Sequence, residues 1–217
     1  MRKYFLCLMA STLLFSGAEA GLFGDDVDFA DLSQLSSEAL ETLKDAEYKV
    51  FYSKVKHAEM KVLEKRERED LKSVKSVLDA KRLRFKAAKT ELKDIRERSA
   101  GKKLADAEAV LRNAQKAVDI AKLHVNWKEK ELDMRIAGAE KEKAAIAVAE
   151  AERDLARVLK LHAQKAPSAG KYRVDDFKEG LGKRQKELEI AISKEKSEIF
   201  EAKKRKLDYE KLYQRQE

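Results

Sequence analysis

Apolar residues recur in alternating steps of three and four through most of the chain between residues 36 and 165, which is the heptad pattern of a coiled coil. The first run precedes Gly101 and comprises Leu71, Val74, Leu78, Lys81, Phe85, Ala88, Leu92 and Ile95, in which the charged Lys81 weakens the pattern. The second run follows Gly101 and comprises Leu104, Ala107, Leu111, Ala114, Val118, Ala121 and Val125. Because this stretch contains no proline, each run is predicted to form one long α-helix.

The phase of the two runs predicts that the chain turns back near Gly101. Continuing the first pattern past Ile95 reaches Ser99 and Lys102 instead of Leu104, so a straight helix would shift its apolar face at the junction. An antiparallel hairpin joins the two runs in one register that sets large side chains against small ones. That register pairs Ile95 with Leu104, Leu92 with Ala107, Ala88 with Leu111, Phe85 with Ala114, Lys81 with Val118, Leu78 with Ala121 and Val74 with Val125. Towards the base it pairs Val62 with Ala137, Val55 with Ala144, Phe51 with Val148 and Tyr48 with Ala151.

A charged segment interrupts this pattern in the first arm. Residues 64–70 are all charged and separate Val62 from Leu71 by nine positions, so we expect the regular winding of the coil to be lost there. Charged residues make up 41% of the chain and aromatic residues 7%, which leaves too little bulk for a globular core and favours a long exposed coil.

A second break follows Lys165, where the only proline, Pro167, is predicted to end the helix. Asp175 or Asp176 is the predicted cap of a third helix. Its apolar positions are Phe177, Leu181, Leu188, Ile192, Ile199, Ala202, Tyr209 and Tyr213, with Glu195 and Lys206 inside the stripe. The predicted fold is therefore all-α: a long antiparallel coiled-coil hairpin with its turn near residues 99–101, and a third helix packed along its base. The third helix is expected to start at the open base and to cover about two thirds of the length of the hairpin. The predicted units are a hairpin at 36–165, a linker at 166–173 and the third helix at 174–217.

Residues 1–20 have the features of a secretory signal peptide. Arg2 and Lys3 precede an apolar run at 4–15, and Ala18-Glu19-Ala20 is a typical cleavage site. The apolar run is shorter than the about 20 residues that a bilayer requires, although an uncleaved anchor is the alternative. Cleavage would remove Cys7 and leave no cysteine. We expect transport across an inner membrane and a periplasmic or outer-membrane-associated location.

Residues 21–35 form a predicted acidic leader. Asp25, Asp26, Asp28 and Asp31 stand close together, but the glycine and the distant glutamate of a calcium-binding loop are missing. A solvated leader is therefore the preferred interpretation. Ser36 or Ser37 is the predicted N-cap of the first long helix.

The chain offers little chemistry for catalysis. His57, His124 and His162 are far apart, and the sequence has no glycine-rich phosphate loop and no nucleophile motif. We predict no catalytic, cofactor-binding or metal-binding residues and expect that the protein is not an enzyme. Trp127 is interpreted as a flank of the coil or a contact of the third helix.

The formal net charge of +8 suggests an acidic partner or a solubilising surface. The candidate interaction residues are the dense basic run Lys203, Lys204, Arg205 and Lys206, and the turn at Ser99, Ala100 and Gly101. Export favours an envelope protein or an anionic envelope polymer over nucleic acid. Homo-oligomerisation stays open.

Part of the C-terminal third resembles the periplasmic helical region of TolC-type outer-membrane efflux proteins. The resemblance lies in the alanine-rich residues 144–159, in Gly170 and Asp176 at the turn, and in Leu188 and Ala191 beyond it. The exported basic hairpin also resembles the Skp periplasmic chaperone in shape and charge. These features lead to three hypotheses: a structural scaffold or protein-interaction module of the cell envelope, a holdase chaperone, or an accessory component of a TolC-like efflux or secretion system.

Overall fold

A computed structural model describes residues 27–98 and 102–214. Within these ranges the chain forms four α-helices and one 3-10 helix, and no strand. The helices are α1 (Phe29–Leu32), α2 (Ser37–Arg98), α3 (Lys102–Ala163) and α4 (Val174–Gln214), with the 3-10 helix at Ala169–Lys171. The all-α fold is confirmed.

Helices α2 and α3 form the long antiparallel hairpin. Each has 62 residues, which corresponds to a length of about 93 Å. Ion pairs cross between the arms at successive heights, from Glu47 with Arg157 near the base, through Lys75 with Glu129, to Arg96 with Glu108 near the distal end. The predicted turn residues Ser99, Ala100 and Gly101 lie outside the described residues.

The distal half of the predicted seam is confirmed. Leu71 and Leu78 of α2 are buried in one cluster with Val118, Ala121 and Val125 of α3. Val74, Phe85 and Leu132 pack against this cluster. Leu92 and Ala107, which the register also pairs, are both buried nearer the turn.

The predicted seam of the basal half is wrong. Tyr48, Phe51 and Val62 are more than half exposed, and Val55 is 38% exposed. The residues of α2 that turn towards α3 instead continue the distal heptads without a break. They are Ala39, Leu43, Ala46, Val50, Ser53, His57, Met60, Glu64, Glu67 and Leu71. The predicted loss of regular winding at 64–70 is therefore also wrong.

The seam can pass through Glu64 because the carboxylate of Glu64 is satisfied within α2. Lys61 donates a hydrogen bond of 2.9 Å to Glu64, and Arg68 donates two of 2.8 and 3.1 Å. The hydrogen bonds from Lys61 and then Arg68 lower the pKa of Glu64, against the opposing effect of burial. These hydrogen bonds offset the cost of burying the carboxylate, so Glu64 can occupy the seam and α2 keeps its phase.

Helix α3 is the central helix, because α2 and α4 pack on different sides of it. Three consecutive small residues, Ala137, Gly138 and Ala139, are all buried there. A Cβ atom on Gly138 would lie 2.5 Å from Cε of Met60 in α2 and 3.2 Å from Oε1 of Glu195 in α4. The position is glycine because both neighbouring helices approach the backbone of α3 at this height.

Helix α4 runs back along α3 as predicted, with some corrections. Ala202 is buried, and Glu195 within the stripe is half-buried and paired with Lys141 at 3.0 Å. Tyr213 is 48% exposed instead of packed. The helix begins at Val174, so Asp175 and Asp176 lie in its first turn and are not its cap. Their negative charges still interact favourably with the helix dipole there.

The base of the hairpin is a small apolar core to which both the N-terminal segment and the linker contribute. Val27, Leu32 and Leu35 from before α2 pack with Ala166, Ala169 and Tyr172 from the linker, around the fully buried Val158 and Leu161. Gln34 accepts hydrogen bonds from the Ser168 amide and hydroxyl. The linker and residues 27–35 are thus integral parts of the fold.

Asp31 corrects the interpretation of the leader as solvated. Its side chain is buried and accepts a 2.7 Å hydrogen bond from the Tyr172 hydroxyl and two, of 3.1 and 3.2 Å, from Lys171. The hydrogen bond from Tyr172 is the main reason that the pKa of Asp31 lies below its ordinary value; burial opposes it and Lys171 reinforces it. Asp25 and Asp26 lie outside the described residues.

At the base of the hairpin, the start of α2 and the end of α3 are both determined by local sequence signals. Ser36 is the N-cap of α2, since its hydroxyl accepts a hydrogen bond from the Ala39 amide. At the end of α3, Lys165 adopts φ 53° and the Ala166 amide bonds back to the Leu161 carbonyl, which is a Schellman motif. Pro167 follows and prevents the helix from continuing, as predicted.

We expect Leu161→Ala to destabilise the protein by roughly 2–5 kcal/mol, because it opens a cavity in the core of the base. Leu159→Ala is the matched control, since Leu159 is 46% exposed on the same helix, and its effect should stay below about 1 kcal/mol. Urea unfolding followed by circular dichroism measures both. Equal losses of stability in the two variants would contradict the structure of the base.

We expect Asp31→Asn to destabilise the protein near neutral pH and to have little effect below the pKa of Asp31. A carboxyl whose pKa is lowered on folding contributes stability above its unfolded pKa and loses it as the pH falls through the folded value. Thermal unfolding at a series of pH values from neutral down to about pH 2 tests this linkage, and the difference between the variant and the wild type should shrink as the pH falls. The exposed Asp106→Asn is the control, and a pH-independent difference for Asp31→Asn would refute the expectation.

Candidate functional site

The predicted basic run of α4 does not form one surface. Lys203 and Lys204 are exposed, whereas Arg205 is half-buried, and Lys206 lies 5.6 Å from the centre of the Trp127 ring. The four residues are consecutive on a helix, so they point in different directions around it. The other predicted site, at Ser99, Ala100 and Gly101, lies outside the described residues.

The structure shows instead a ridge of positive charge on the distal part of α2. Arg82, Lys86, Lys89, Lys93 and Arg96 follow one another in steps of four and three and therefore share one face of the helix. All five are exposed. We call these five residues the basic ridge. Its charges stand about 5 Å apart along a line of about 21 Å.

The three central lysines of the basic ridge are unpaired within the described part of the chain. Arg82 at one end pairs with Asp79 at 3.1 Å, and Arg96 at the other end pairs with Glu108 at 3.1 Å. Lys86, Lys89 and Lys93 have no carboxylate partner among residues 27–98 and 102–214. The ridge therefore presents uncompensated charge to solvent.

The fold itself gains nothing from this arrangement. Like charges three or four residues apart on a helix destabilise it by roughly 0.2–0.5 kcal/mol per pair. Elsewhere the helices pair opposite charges at this spacing, as in Glu64 with Arg68 and Lys130 with Asp133. Between Arg82 and Arg96 this face of α2 carries no acidic residue, so the basic ridge is the candidate interaction surface.

A charge count over a sequence window could have found the ridge. Residues 81–98 contain eight basic and three acidic residues, a balance of +5 within a chain whose total is +8. The dense run at Lys203 was identified from the sequence instead, because consecutive basic residues are easier to notice than basic residues at heptad spacing.

The middle of the hairpin contains a partly buried ion-pair network. Lys128 of α3 donates to Glu67 of α2 at 2.8 Å and to Glu131 at 2.7 Å. Burial acts to lower the pKa of Lys128, but its hydrogen bonds to Glu131 and Glu67 outweigh burial and raise that pKa. Burial raises the pKa of Glu67, and the charge of Glu131 adds to this effect.

Beside this network an aromatic group joins α3 to α4. The rings of His124 and Trp127 stack with Tyr209, at centroid distances of 4.7 and 5.5 Å. Burial, and then the charge of Lys128, lower the pKa of His124, so the neutral imidazole is favoured in the stack. The interpretation of Trp127 as a contact of the third helix is confirmed. The group holds the end of α4 below the level of the basic ridge.

An open groove of about 510 Å³ lies over α3 between α2 and α4. Its walls carry charges that are already paired, with Lys130 bonded to Asp133 and Glu129 bonded to Lys75. The groove is open, and Leu71 and Leu132 are the apolar residues among those that line it, so it lacks the enclosed and mainly apolar lining of a small-molecule site.

His162 belongs to the base and not to a ligand site. Its Nε2 atom lies 2.8 Å from the carbonyl oxygen of Tyr172, which ties the end of α3 to the linker. Within residues 27–98 and 102–214, no three His, Cys, Asp or Glu side chains are grouped so that they could hold a metal ion. None of the described helices is both long enough and apolar enough to cross a membrane.

Comparison with known proteins finds no matching family, no similar curated protein and no solved structure of similar fold. The resemblances to TolC-type proteins and to the Skp chaperone stay predictions.

We expect Lys128→Met to be strongly destabilising, because it leaves Glu67 and Glu131 close together in the seam without their cation. Removing one partner of a buried ion pair costs roughly 3–5 kcal/mol, and the partial exposure of this network places the effect at the lower end. Acidification should reduce the penalty, since burial raises the pKa of Glu67 and protonation of Glu67 relieves the repulsion.

Lys130→Met is the matched control, because Lys130 forms a surface pair with Asp133 that is worth at most about 1 kcal/mol. Urea unfolding of both variants near neutral pH and at about pH 4 gives the comparison. A Lys128 variant as stable as the Lys130 variant would show that the network does not support the seam.

Proposed function

We propose that this protein is an exported, non-enzymatic coiled-coil scaffold of the cell envelope that binds a linear anionic polymer along the basic ridge. The observation that carries the proposal is the row of Lys86, Lys89 and Lys93, exposed and without carboxylate partners in the described chain. The positive charges of the ridge are about 5 Å apart, so a linear polymer with one anionic group in each repeating unit could pair its successive anionic groups with successive lysines.

The shape of the molecule supports this function. The hairpin is a rod of about 93 Å whose base is held by an apolar core and by the contacts of α4. Within the described residues α4 extends to Gln214, shortly after the stack of Tyr209 on His124, and beyond this level the described part of the hairpin is a two-helix arm of α2 and α3. The basic ridge lies on this arm, where a long polymer can approach without contacting the base.

Export is the second part of the proposal, and it rests on the sequence. Arg2 and Lys3, the apolar residues 4–15 and Ala18-Glu19-Ala20 form the pattern of a cleaved signal peptide. In an envelope the abundant linear polyanions are phosphate- and carboxylate-bearing polymers, and these are the partners that we propose. A scaffold that binds them at one end and packs at the other would act as a spacer.

Replacing the three central lysines tests the proposal. We expect Lys86→Gln, Lys89→Gln and Lys93→Gln together to weaken binding of linear polyphosphate on the order of 100-fold at low salt, since a lysine near a polyanionic surface contributes roughly 1 kcal/mol. The slope of log affinity against log salt should fall by about two. Isothermal titration calorimetry at several salt concentrations measures both quantities.

The control changes net charge equally at another place. It combines Lys196→Gln, Lys203→Gln and Lys204→Gln, which replace three exposed lysines of α4. This triple variant should bind polyphosphate almost as tightly as the wild type does. Equal weakening in both triple variants would show that net charge alone governs binding and would contradict a site at the basic ridge. An unchanged affinity of the ridge variant would contradict it as well.

A further inference from the structure

The basal half of α2 carries an apolar stripe on the face turned away from α3. Tyr48, Phe51, Val55, Ala58 and Val62 follow one another in steps of three and four, and all five are exposed. We call these residues the outer stripe. It contains two complete heptads of apolar positions, whereas the inner seam at the same height contains Ser53, His57 and Glu64. The outer face of α2 is thus the better coiled-coil surface.

The outer stripe is large for the surface of a single chain. Tyr48, Phe51 and the adjacent Tyr52 are each about 60–67% exposed. Since an aromatic side chain offers roughly 150–250 Å² of surface, these three rings alone leave roughly 300–500 Å² uncovered. Two such stripes facing each other would bury on the order of 1,000 Å², which is the lower limit for a specific protein interface.

We propose that the outer stripe is the interface of an antiparallel homodimer, in which α2 of a second copy lies on α2 with Val55 opposite Ala58. This inference goes beyond polymer binding and does not depend on it. The symmetry is two-fold, so each contact occurs twice and the interface closes on itself.

Side-chain size favours this orientation. With Val55 opposite Ala58, Phe51 lies opposite Val62, and Tyr48 lies opposite Lys65, whose aliphatic stem can cover the ring. The large half of each stripe therefore meets the small half of its partner. A parallel pair would set Phe51 against Phe51 and Ala58 against Ala58, which overfills one layer and leaves a gap in the other.

Charge complementarity gives an independent reason for the same register. Beyond the apolar layers, Glu41 lies opposite Lys72 of the second copy, and Lys44 lies opposite Glu69. Glu41 and Lys44 also pair with each other on the surface of α2. Glu69 and Lys72 are exposed and have no ion-pair partner among the described residues. Opposite charges at the margins of an interface fix its register and disfavour alternatives.

The alternatives place like charges together. A parallel pair in register sets Glu41 against Glu41, Lys44 against Lys44 and Lys72 against Lys72. An antiparallel pair with Val55 opposite Val55 sets Glu41 against Glu69 and Lys44 against Arg66. Of these three registers, the proposed one combines filled apolar layers with opposite charges on both sides.

The proposed dimer would place its two basic ridges far apart. The two-fold axis passes between Val55 and Ala58, so the distal ends of the two hairpins point in opposite directions and lie about 125 Å apart. The α2 helix of the partner begins at its Ser37, opposite Ser76, so the basic ridge from Arg82 to Arg96 lies beyond it. The dimer presents one basic ridge near each end.

Sedimentation equilibrium of the purified chain with Cys7→Ser, in which no cysteine is left, tests the association. We expect a dimer that Phe51→Glu converts to a monomer of unchanged helicity, since Phe51 is exposed and outside the core. Phe200→Glu is the matched control, because Phe200 on α4 is equally exposed at 66% and should leave the dimer intact.

Cysteine cross-linking in the same background tests the orientation. Phe51→Cys combined with Val62→Cys should give disulfide-linked dimers on oxidation. In the proposed register, position 51 of each chain lies opposite position 62 of the second chain, within the roughly 7 Å that a disulfide spans. Phe51→Cys alone should not cross-link, because the two introduced sulfurs would be about 16 Å apart along the axis.

Each other result overturns the proposal. A wild type that is monomeric at the highest concentrations measured shows that the outer stripe does not self-associate. A dimer that survives Phe51→Glu, or that Phe200→Glu also disrupts, places the interface elsewhere. Cross-linking of the single Phe51→Cys variant shows a parallel pair. Polyphosphate binding by the monomeric Phe51→Glu variant separates this result from the function of the basic ridge.

Discussion

The phase of the α2 seam is the constraint on which the rest of the structure depends. From Ala39 to Ile95 the residues that face α3 advance in steps of three and four without interruption. A coiled coil tolerates polar residues in such a seam when their hydrogen bonds are satisfied, but a shift of phase would turn the whole apolar face away from its partner. The partners of Glu64 and Glu67 therefore have consequences along the entire rod.

The continuous seam determines which residues remain outside. Because Val50 and Met60 face α3, Phe51 and Val62 cannot do so, and the strongest apolar heptads of the basal half lie on the outer surface. In the distal half the same geometry leaves Lys86, Lys89 and Lys93 on an exposed face. One helix thus supplies the inner seam, the outer stripe and the basic ridge, each on its own face.

Helix α3 has the opposite character, since two helices pack on it. Its basal half is rich in alanine because bulky side chains at Ala137 or Ala139 would hold α2 and α4 apart. Gly138 allows Met60 and Glu195 to approach the backbone itself. The central helix α3 therefore carries small residues, and the outer helices α2 and α4 carry the larger or charged ones. This distribution lets both outer helices pack closely on α3.

The sequence by itself determined the helices and their order. Heptad spacing, the cap at Ser36 and the stop at Pro167 are local signals, and the phase difference across Gly101 was enough to predict a hairpin with Leu78 and Ala121 in its core. Only the tertiary structure decided which of two competing stripes on α2 is buried, because both have heptad spacing and the more apolar one is not the one that faces α3. Burial of Glu67 depends on Lys128, and burial of Asp31 depends on Tyr172, residues that are far away in the sequence and adjacent only after folding. The basic ridge was not predicted for a related reason. Its five residues are spread over fifteen positions of the sequence, and they share one face only because α2 is a continuous helix there.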